Sequence, residues 1–156
     1  MLTLTLHSPQ VHGFFSVPVD HLHALREFTA HFRGRDLSSA VVVSPDLGYA
    51  KSAADFARRL GVPVAAGAKQ RISDTEMILS AIIGDVAGRD VIILDDEIAR
   101  GTTVFELLTL LRERGARSVA VAAIQPGPHR LTSLDDLYNL TTAEGTTVPP
   151  EIKTAC

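Results

Sequence analysis

The stretch Val91-Ile92-Ile93-Leu94-Asp95-Asp96-Glu97-Ile98-Ala99-Arg100-Gly101-Thr102-Thr103-Val104-Phe105 decides how the rest of the chain reads. Four consecutive apolar residues, three of them β-branched, predict a strand buried on both faces, as parallel sheets require. Two adjacent carboxylates end the strand. A loop with Gly101 follows, and Thr102 or Thr103 is expected to cap a helix carrying Phe105, Leu107, Leu108 and Leu111. The unit is strand, acidic loop, helix.

The mixture within that loop points to a ligand. Free N–H groups at a helix N-terminus, with a glycine permitting close approach, favour an anion such as phosphate. Asp95, Asp96 and Glu97 disfavour the same anion, each like-charge contact costing about 2–3 kcal/mol at ~6 Å and an effective dielectric of ~20. A loop with both features suits a ligand with phosphate at one end and hydroxyls or a bound divalent cation at the other. A sugar phosphate has that form.

Composition sets the outer bounds. At 156 residues, 46% hydrophobic and 21% charged, the chain reads as one folded domain with a proper core. A formal net charge of -3 and the lack of any Lys/Arg run give no case for nucleic acid. The lone Cys156 excludes an internal disulfide and a cysteine metal cluster. Neither a membrane-length apolar run nor a basic leader is present, so a cytoplasmic protein is expected.

Working outward, residues 2–6 alternate like a half-buried strand leading to His7. Residues 12–19 read as an apolar loop, and Asp20 as the cap of a helix through Leu22, Leu25, Phe28 and Phe32. Residues 40–43 predict a second buried strand running into Ser44-Pro45-Asp46-Leu47-Gly48. A helix is expected through Ala50, Ala53, Phe56, Ala57 and Leu60, then a short strand over 62–66. Residues 67–75, with Lys69, Gln70 and Arg71, lack periodicity and read as an exposed loop. Strands follow over 77–83 and 118–124, and one more over 137–140. Strands alternating with helices predict a three-layer α/β fold on a parallel sheet with right-handed crossovers. Ligands in such sheets bind beyond the strand C-terminal ends, where Asp46, Lys69, Asp95 and Asp96 can converge.

These residues also carry a resemblance. Leu94-Asp95-Asp96 through Gly101-Thr102-Thr103 resembles the acidic phosphoribosyl-pyrophosphate loop of type I phosphoribosyltransferases. Four further segments resemble one branch, ribose-phosphate pyrophosphokinase: residues 13–20, residues 43–48, Lys69-Gln70-Arg71, and residues 82–88. The resemblance implies a single phosphoribosyltransferase-like domain over 1–156, with 1–18 matching the end of the family's first half. It also implies a chain truncated at both ends relative to the family, lacking most of the ATP-contacting half.

The implied chemistry is Mg²⁺-dependent transfer of the diphosphoryl group of ATP to ribose 5-phosphate, giving phosphoribosyl pyrophosphate. By that resemblance Asp95 and Asp96 accept hydrogen bonds from ribose hydroxyls, directly or through Mg²⁺. Gly101, Thr102 and Thr103 cradle the 5-phosphate. Lys69 and Arg71 match a catalytic basic pair that neutralises charge on the transferred phosphates. His7 matches a Mg²⁺-associated histidine, and Asp46 a Mg²⁺-associated or ribose-facing acid. Departures lie at Ala99, Arg100 and Thr102, where the family usually has an acid, Thr and Gly. Arg100 either grips the phosphate bidentately or crowds it. Thr5 stands where the family has Asp, and Tyr49 where it commonly has Gly.

Blander readings remain beside these. Asp46 may equally be read as a helix cap. His12, His21, His23, His31 and His129 read as solvated or helix-face residues. Residues 91–97 alone also resemble an ATPase metal-binding strand, but no Gly-rich phosphate loop accompanies it. A receiver-domain pocket is the other likeness, with too few residues after Glu97. Two functional alternatives stand beside the synthetase: a phosphoribosyltransferase, and a non-catalytic ribose-phosphate or nucleotide-binding module. The latter would associate with a full-length paralogue, where the former classes are expected to form homo-oligomers.

Overall fold

The computed structural model describes residues 1–71, 77–98 and 101–126. Its centre is a five-stranded sheet built from β3 (Ala40–Ser44), β4 (Val64–Arg71), β5 (Met77–Ile83), β6 (Asp90–Ile98) and β7 (Ser118–Pro126). The spatial order is β5-β4-β3-β6-β7. Strands β3, β4, β6 and β7 run parallel, with Val42 opposite Ile92 and Ile93 opposite Val121. The two apolar runs that predicted buried strands are therefore neighbours at the middle of the sheet.

Alternation along these strands feeds two cores. Val41, Val43, Val91 and Ile93 face α3 (Thr102–Glu113), meeting Val104, Leu107 and Leu111. Ala40, Val42, Ile92 and Leu94 face α1 (Leu25–Arg33) and α2 (Ala50–Leu60), meeting Phe32, Ala53 and Phe56. Successive side chains on a strand point to opposite faces, so a wholly apolar strand needs helices on both. The fold is three-layered, as expected. Each fully buried Val, Leu or Ile in these layers contributes about 1.5–3 kcal/mol.

Four local expectations are corrected. The parallel sheet, itself as expected, carries one antiparallel edge strand, β5, which pairs with β4, Gly67 opposite Ile82. Residues 67–71 are accordingly strand rather than loop, and the register shifts between Ala68 and Lys69. Ladder hydrogen bonds satisfy this polar segment, which periodicity could not reveal. Residues 20–22 form a strand, β2 (Asp20–Leu22), paired with β1 (Leu2–Leu4), and the helix starts only at Leu25. In β1 the leucines Leu2 and Leu4 are exposed, opposite to the burial their alternation predicted. Gly101, not a threonine, stands at the N-cap of α3. The strand expected over 137–140 lies outside the described residues.

A 3-10 helix, Pro9–Phe14, joins β1 to β2. This N-terminal unit leaves much apolar surface open, with Leu2, Leu4, Val11, Phe14, Phe15, Val17 and Leu22 all exposed and Phe14 at 88%. Among the described residues no helix is long and apolar enough to cross a membrane.

Candidate functional site

A cleft of about 390 Å³ opens at the C-terminal ends of the parallel strands. His7, Asp46, Lys69, Asp95, Asp96, Gly101, Thr102 and Thr103 all line it, together with Pro45, Glu97, Ile98 and Val104. Residues from five separate stretches of sequence thus meet beyond the sheet. Of the expected site residues, Arg71 ends β4 but its side chain lies outside the described residues, as does Arg100.

The acidic pair lies within β6 rather than after it. Asp96 is 8% exposed, and the Asp96 N–H donates to Asp95 Oδ1 at 2.9 Å. Burial, and then the neighbouring Asp96 carboxyl, push the Asp95 carboxyl up to about 7. Backbone N–H groups of Asp96 and Glu97 only partly oppose this. Asp96 is better served, because His7 Nδ1 donates to its Oδ2 at 2.5 Å. The His7 imidazole, 75% exposed, has its pKa raised chiefly by that hydrogen bond and the Asp96 charge.

The N-terminus of α3 also lines the cleft. Gly101, the N-cap of α3, has φ +78°, a left-handed conformation natural to glycine. A Cβ there would meet the Phe105 ring at 3.1 Å. Phe105 N–H closes the first helical turn on the Gly101 carbonyl at 2.9 Å. The N–H groups ahead of it, at Thr102 and Thr103, have no intrahelical acceptor, and the helix dipole adds a positive field there. Lys69 Nζ donates to Thr103 Oγ1 at 3.4 Å and lies 3.5 Å from Asp46 Oδ2. Asp46 also accepts the Tyr49 N–H at 3.2 Å, so its helix-entry role and its place in the cleft coexist.

The cleft thus brings carboxylates, the N-terminus of α3 and an ammonium together. A family model, the phosphoribosyl transferase domain, matches residues 21–151. The chain belongs to this phosphoribosyl transferase domain family. Among its relatives is a Streptomyces coelicolor protein described provisionally as a ribose-phosphate pyrophosphokinase, 70% identical over 122 residues. That match covers 78% of this chain and 38% of the relative. The Deinococcus radiodurans ribose-phosphate pyrophosphokinase is 46% identical over 142 residues, covering 86% of this chain and 44% of that one. The crystal structure of phosphoribosylpyrophosphate synthetase from Mycobacterium smegmatis superposes with a TM-score of 0.76 at 30% identity, covering 99% of this chain and 53% of that one. The chain thus spans about half or less of the length of the relatives it matches.

The residues present fit the Mg²⁺ implied by the family resemblance. Mg²⁺ is ordinarily held by one or two carboxylates plus substrate phosphates, not by an all-protein cage. Consistent with that, no three His, Cys, Asp or Glu side chains form a metal cage among the described residues. The raised Asp95 carboxyl marks a place short of positive charge, where a divalent cation is electrostatically welcome.

Two features in and near the cleft escaped sequence reasoning. The His7–Asp96 pair joins residues 89 apart in sequence, and no local pattern signals it. His12, His21 and His23, expected as scattered surface residues, instead stack together beside β1, with ring centroids 4.8 and 4.3 Å apart. His21 lies on β2 and His23 just beyond its end, a placement obscured by reading residues 20–22 as helix.

Proposed function

We propose that the cleft binds ribose 5-phosphate and serves diphosphoryl transfer from ATP to its 1-hydroxyl, giving phosphoribosyl pyrophosphate. The observation carrying this is a single cleft lined by Asp95 and Asp96 together with Gly101, Thr102 and Thr103 at the N-terminus of α3. The carboxylates accept hydrogen bonds from ribose hydroxyls, and Gly101–Thr103 hold the 5-phosphate. Lys69, with Arg71, offsets charge on the diphosphoryl group as the 1-hydroxyl gives up its proton to solvent, its oxygen bonds to the β-phosphorus, and AMP departs with the electrons of the broken bond. Asp46 orients the Lys69 ammonium.

Mg²⁺, when bound, would screen the phosphate charges; His7, Asp46 and the acidic pair are the residues placed to hold it or its waters. Residues 1–156 act as one phosphoribosyltransferase-like domain in this reading. The cytoplasm is its proposed setting, on the family resemblance alone.

The exposed apolar face of residues 2–22 supports association with a second copy or a full-length paralogue. Phe14→Ser should then shift the chain toward monomer in sedimentation. Calorimetry with ribose 5-phosphate, and an assay with ATP and Mg²⁺ that measures phosphoribosyl pyrophosphate, test the main reading. Absence of binding sinks it. Binding without turnover favours a second reading, a ribose-phosphate-binding or regulatory module.

A further inference from the structure

The turn that delivers His7 to the cleft is held from one side only. Thr5, two residues before it, has φ +39°, and no other non-glycine residue among the described residues has a positive φ. A β-branched residue is strained in that conformation and persists only where its surroundings over-determine it. Three hydrogen bonds from residues 21–24 do so. Thr5 N–H donates to the Leu22 carbonyl at 2.8 Å. Ala24 N–H donates to Thr5 Oγ1 at 3.0 Å. Leu6 N–H donates to the imidazole Nε2 of His21 at 2.9 Å. The first two fix Thr5, and only the third reaches the residue that directly precedes His7.

We infer that His21 is a positioning residue for the cleft: its Nε2 lone pair locks the Leu6 turn and thereby sets the His7 imidazole against Asp96. The role demands a neutral ring with its proton on Nδ1, because a protonated Nε2 would point N–H at N–H. The surroundings supply that state. Burial first, then His23 and His12, lower the His21 pKa, and these two histidines are the titratable groups acting on it from the β2 exit and the 3-10 helix. His12 stands edge-on to the ring at 73°, its own Nε2 shielded from solvent and without a partner, so a proton there would go unsatisfied.

A purely structural stack would do something different. It would stabilise the β1–β2 unit through any of its rings, and it would leave the His7–Asp96 contact indifferent to which ring is lost. The full chain separates these by NMR. Wild type should show scalar coupling between the Leu6 amide nitrogen and His21 Nε2, and nuclear Overhauser contacts between the His7 ring and the Asp96 β-protons. His21→Phe keeps a ring but removes the acceptor; Leu6 amide exchange should then quicken about fivefold or more, and the His7–Asp96 contacts should vanish. His21→Gln, whose carboxamide oxygen reaches near the Nε2 position, should restore both. His23→Phe, which alters the stack and not the bond, should leave both intact.

The functional consequence rests on the ribose 5-phosphate reading, the positioning claim does not. Calorimetry should show weaker ribose 5-phosphate binding in His21→Phe, with no further loss when His21→Phe is added to His7→Gln. If wild type binds no ribose 5-phosphate, that reading fails while the NMR contacts still decide the positioning claim. Missing Leu6–His21 coupling in wild type overturns the inference even if His21→Phe fails to fold. So do His7–Asp96 contacts that survive in folded His21→Phe, or that vanish equally in His23→Phe.

Discussion

Strand β6 carries aspartate near both ends, and the two ends treat the charge in opposite ways. At its start, Asp90 Oδ1 accepts Arg117 Nε at 2.8 Å and Ser118 Oγ at 2.7 Å, and Oδ2 accepts Ser39 Oγ at 3.1 Å and the Arg117 terminal nitrogen. These donors, Arg117 foremost, hold the Asp90 carboxyl well below the usual carboxylate range despite its partial burial. Near the other end, Asp95 is pushed up to about 7 by burial and by Asp96. Asp90 has its donors built in from neighbouring strands; Asp95 accepts the N–H of Asp96 on its own strand, with no cation among the described residues beside it to offset its burial. That difference is what motivates the proposed ligand site at Asp95, since a ligand bringing donors or positive charge would relieve it.

The sharpest way to break this comparison is to neutralise each end. Asp95→Asn with Asp96→Asn should weaken ribose 5-phosphate binding at least ~100-fold by calorimetry, since hydrogen bonds to charged groups contribute about 1.5–3 kcal/mol each. Asp90→Asn should leave that affinity within error. Equal losses at both ends would show that the acids of the cleft have no special role.

Stability should respond in the reverse sense. Asp90→Ala should cost about 1–2 kcal/mol, because it strips Arg117, Ser39 and Ser118 of their shared acceptor at a partly exposed site. A calorimetric Tm lower by about 3–8 °C would register it. The sign with pH is fixed. Asp90 has a folded pKa below its usual 3.8, so its contribution is present above 3.8 and is lost as pH falls below that value. Asp90→Asn should therefore flatten the acid limb of the stability curve, and an unchanged limb would remove Asp90 from the account. At the cleft end, Gly101→Ala meets φ +78° and the Phe105 ring at 3.1 Å, and should cost about 1 kcal/mol of stability together with part of the phosphate affinity. A Gly101→Ala protein with wild-type Tm would contradict the left-handed turn.

How much of this contrast was legible in sequence follows from its physics. Residues 91–94 and 40–43 announced buried central strands because a two-faced core tolerates no polar residue, and both sit at the middle of the sheet. The helix over 50–60 was equally plain, and α2 (Ala50–Leu60) ends before Gly61, which adopts the left-handed conformation. The acidic pair after an apolar run was visible, and so was the glycine before the helix. The β4–β5 pairing was not, since residues 67–71 satisfy their backbone against the edge strand β5 without an apolar pattern of their own. The Asp90–Arg117 and His7–Asp96 pairs were not either, because each joins residues far apart in sequence through the sheet topology. Sequence displays burial and turns; it hides which charge meets which.

The smallest expected effect tests the idea of a withheld partner most directly. Asp95 has a folded pKa raised above the 3.8 of an ordinary carboxylate, to about 7. By linkage, its protonated form favours folding fully below 3.8, and that advantage is lost as pH rises through about 7. Above that pH the wild type carries a poorly solvated carboxylate beside Asp96. Asp95→Asn should thus match wild type at pH 4 and exceed it by about 1 kcal/mol at pH 8, a value kept small because the cleft is open to solvent on one side. Chemical denaturation at the two pH values measures it. Ribose 5-phosphate with Mg²⁺ should then reverse the order at pH 8, because a ligand at ~100 times its Kd stabilises by about 2.7 kcal/mol only the protein that binds it. A variant no more stable than wild type at pH 8 would mean that Asp95 already has its partner within the fold, and the contrast with Asp90 would collapse.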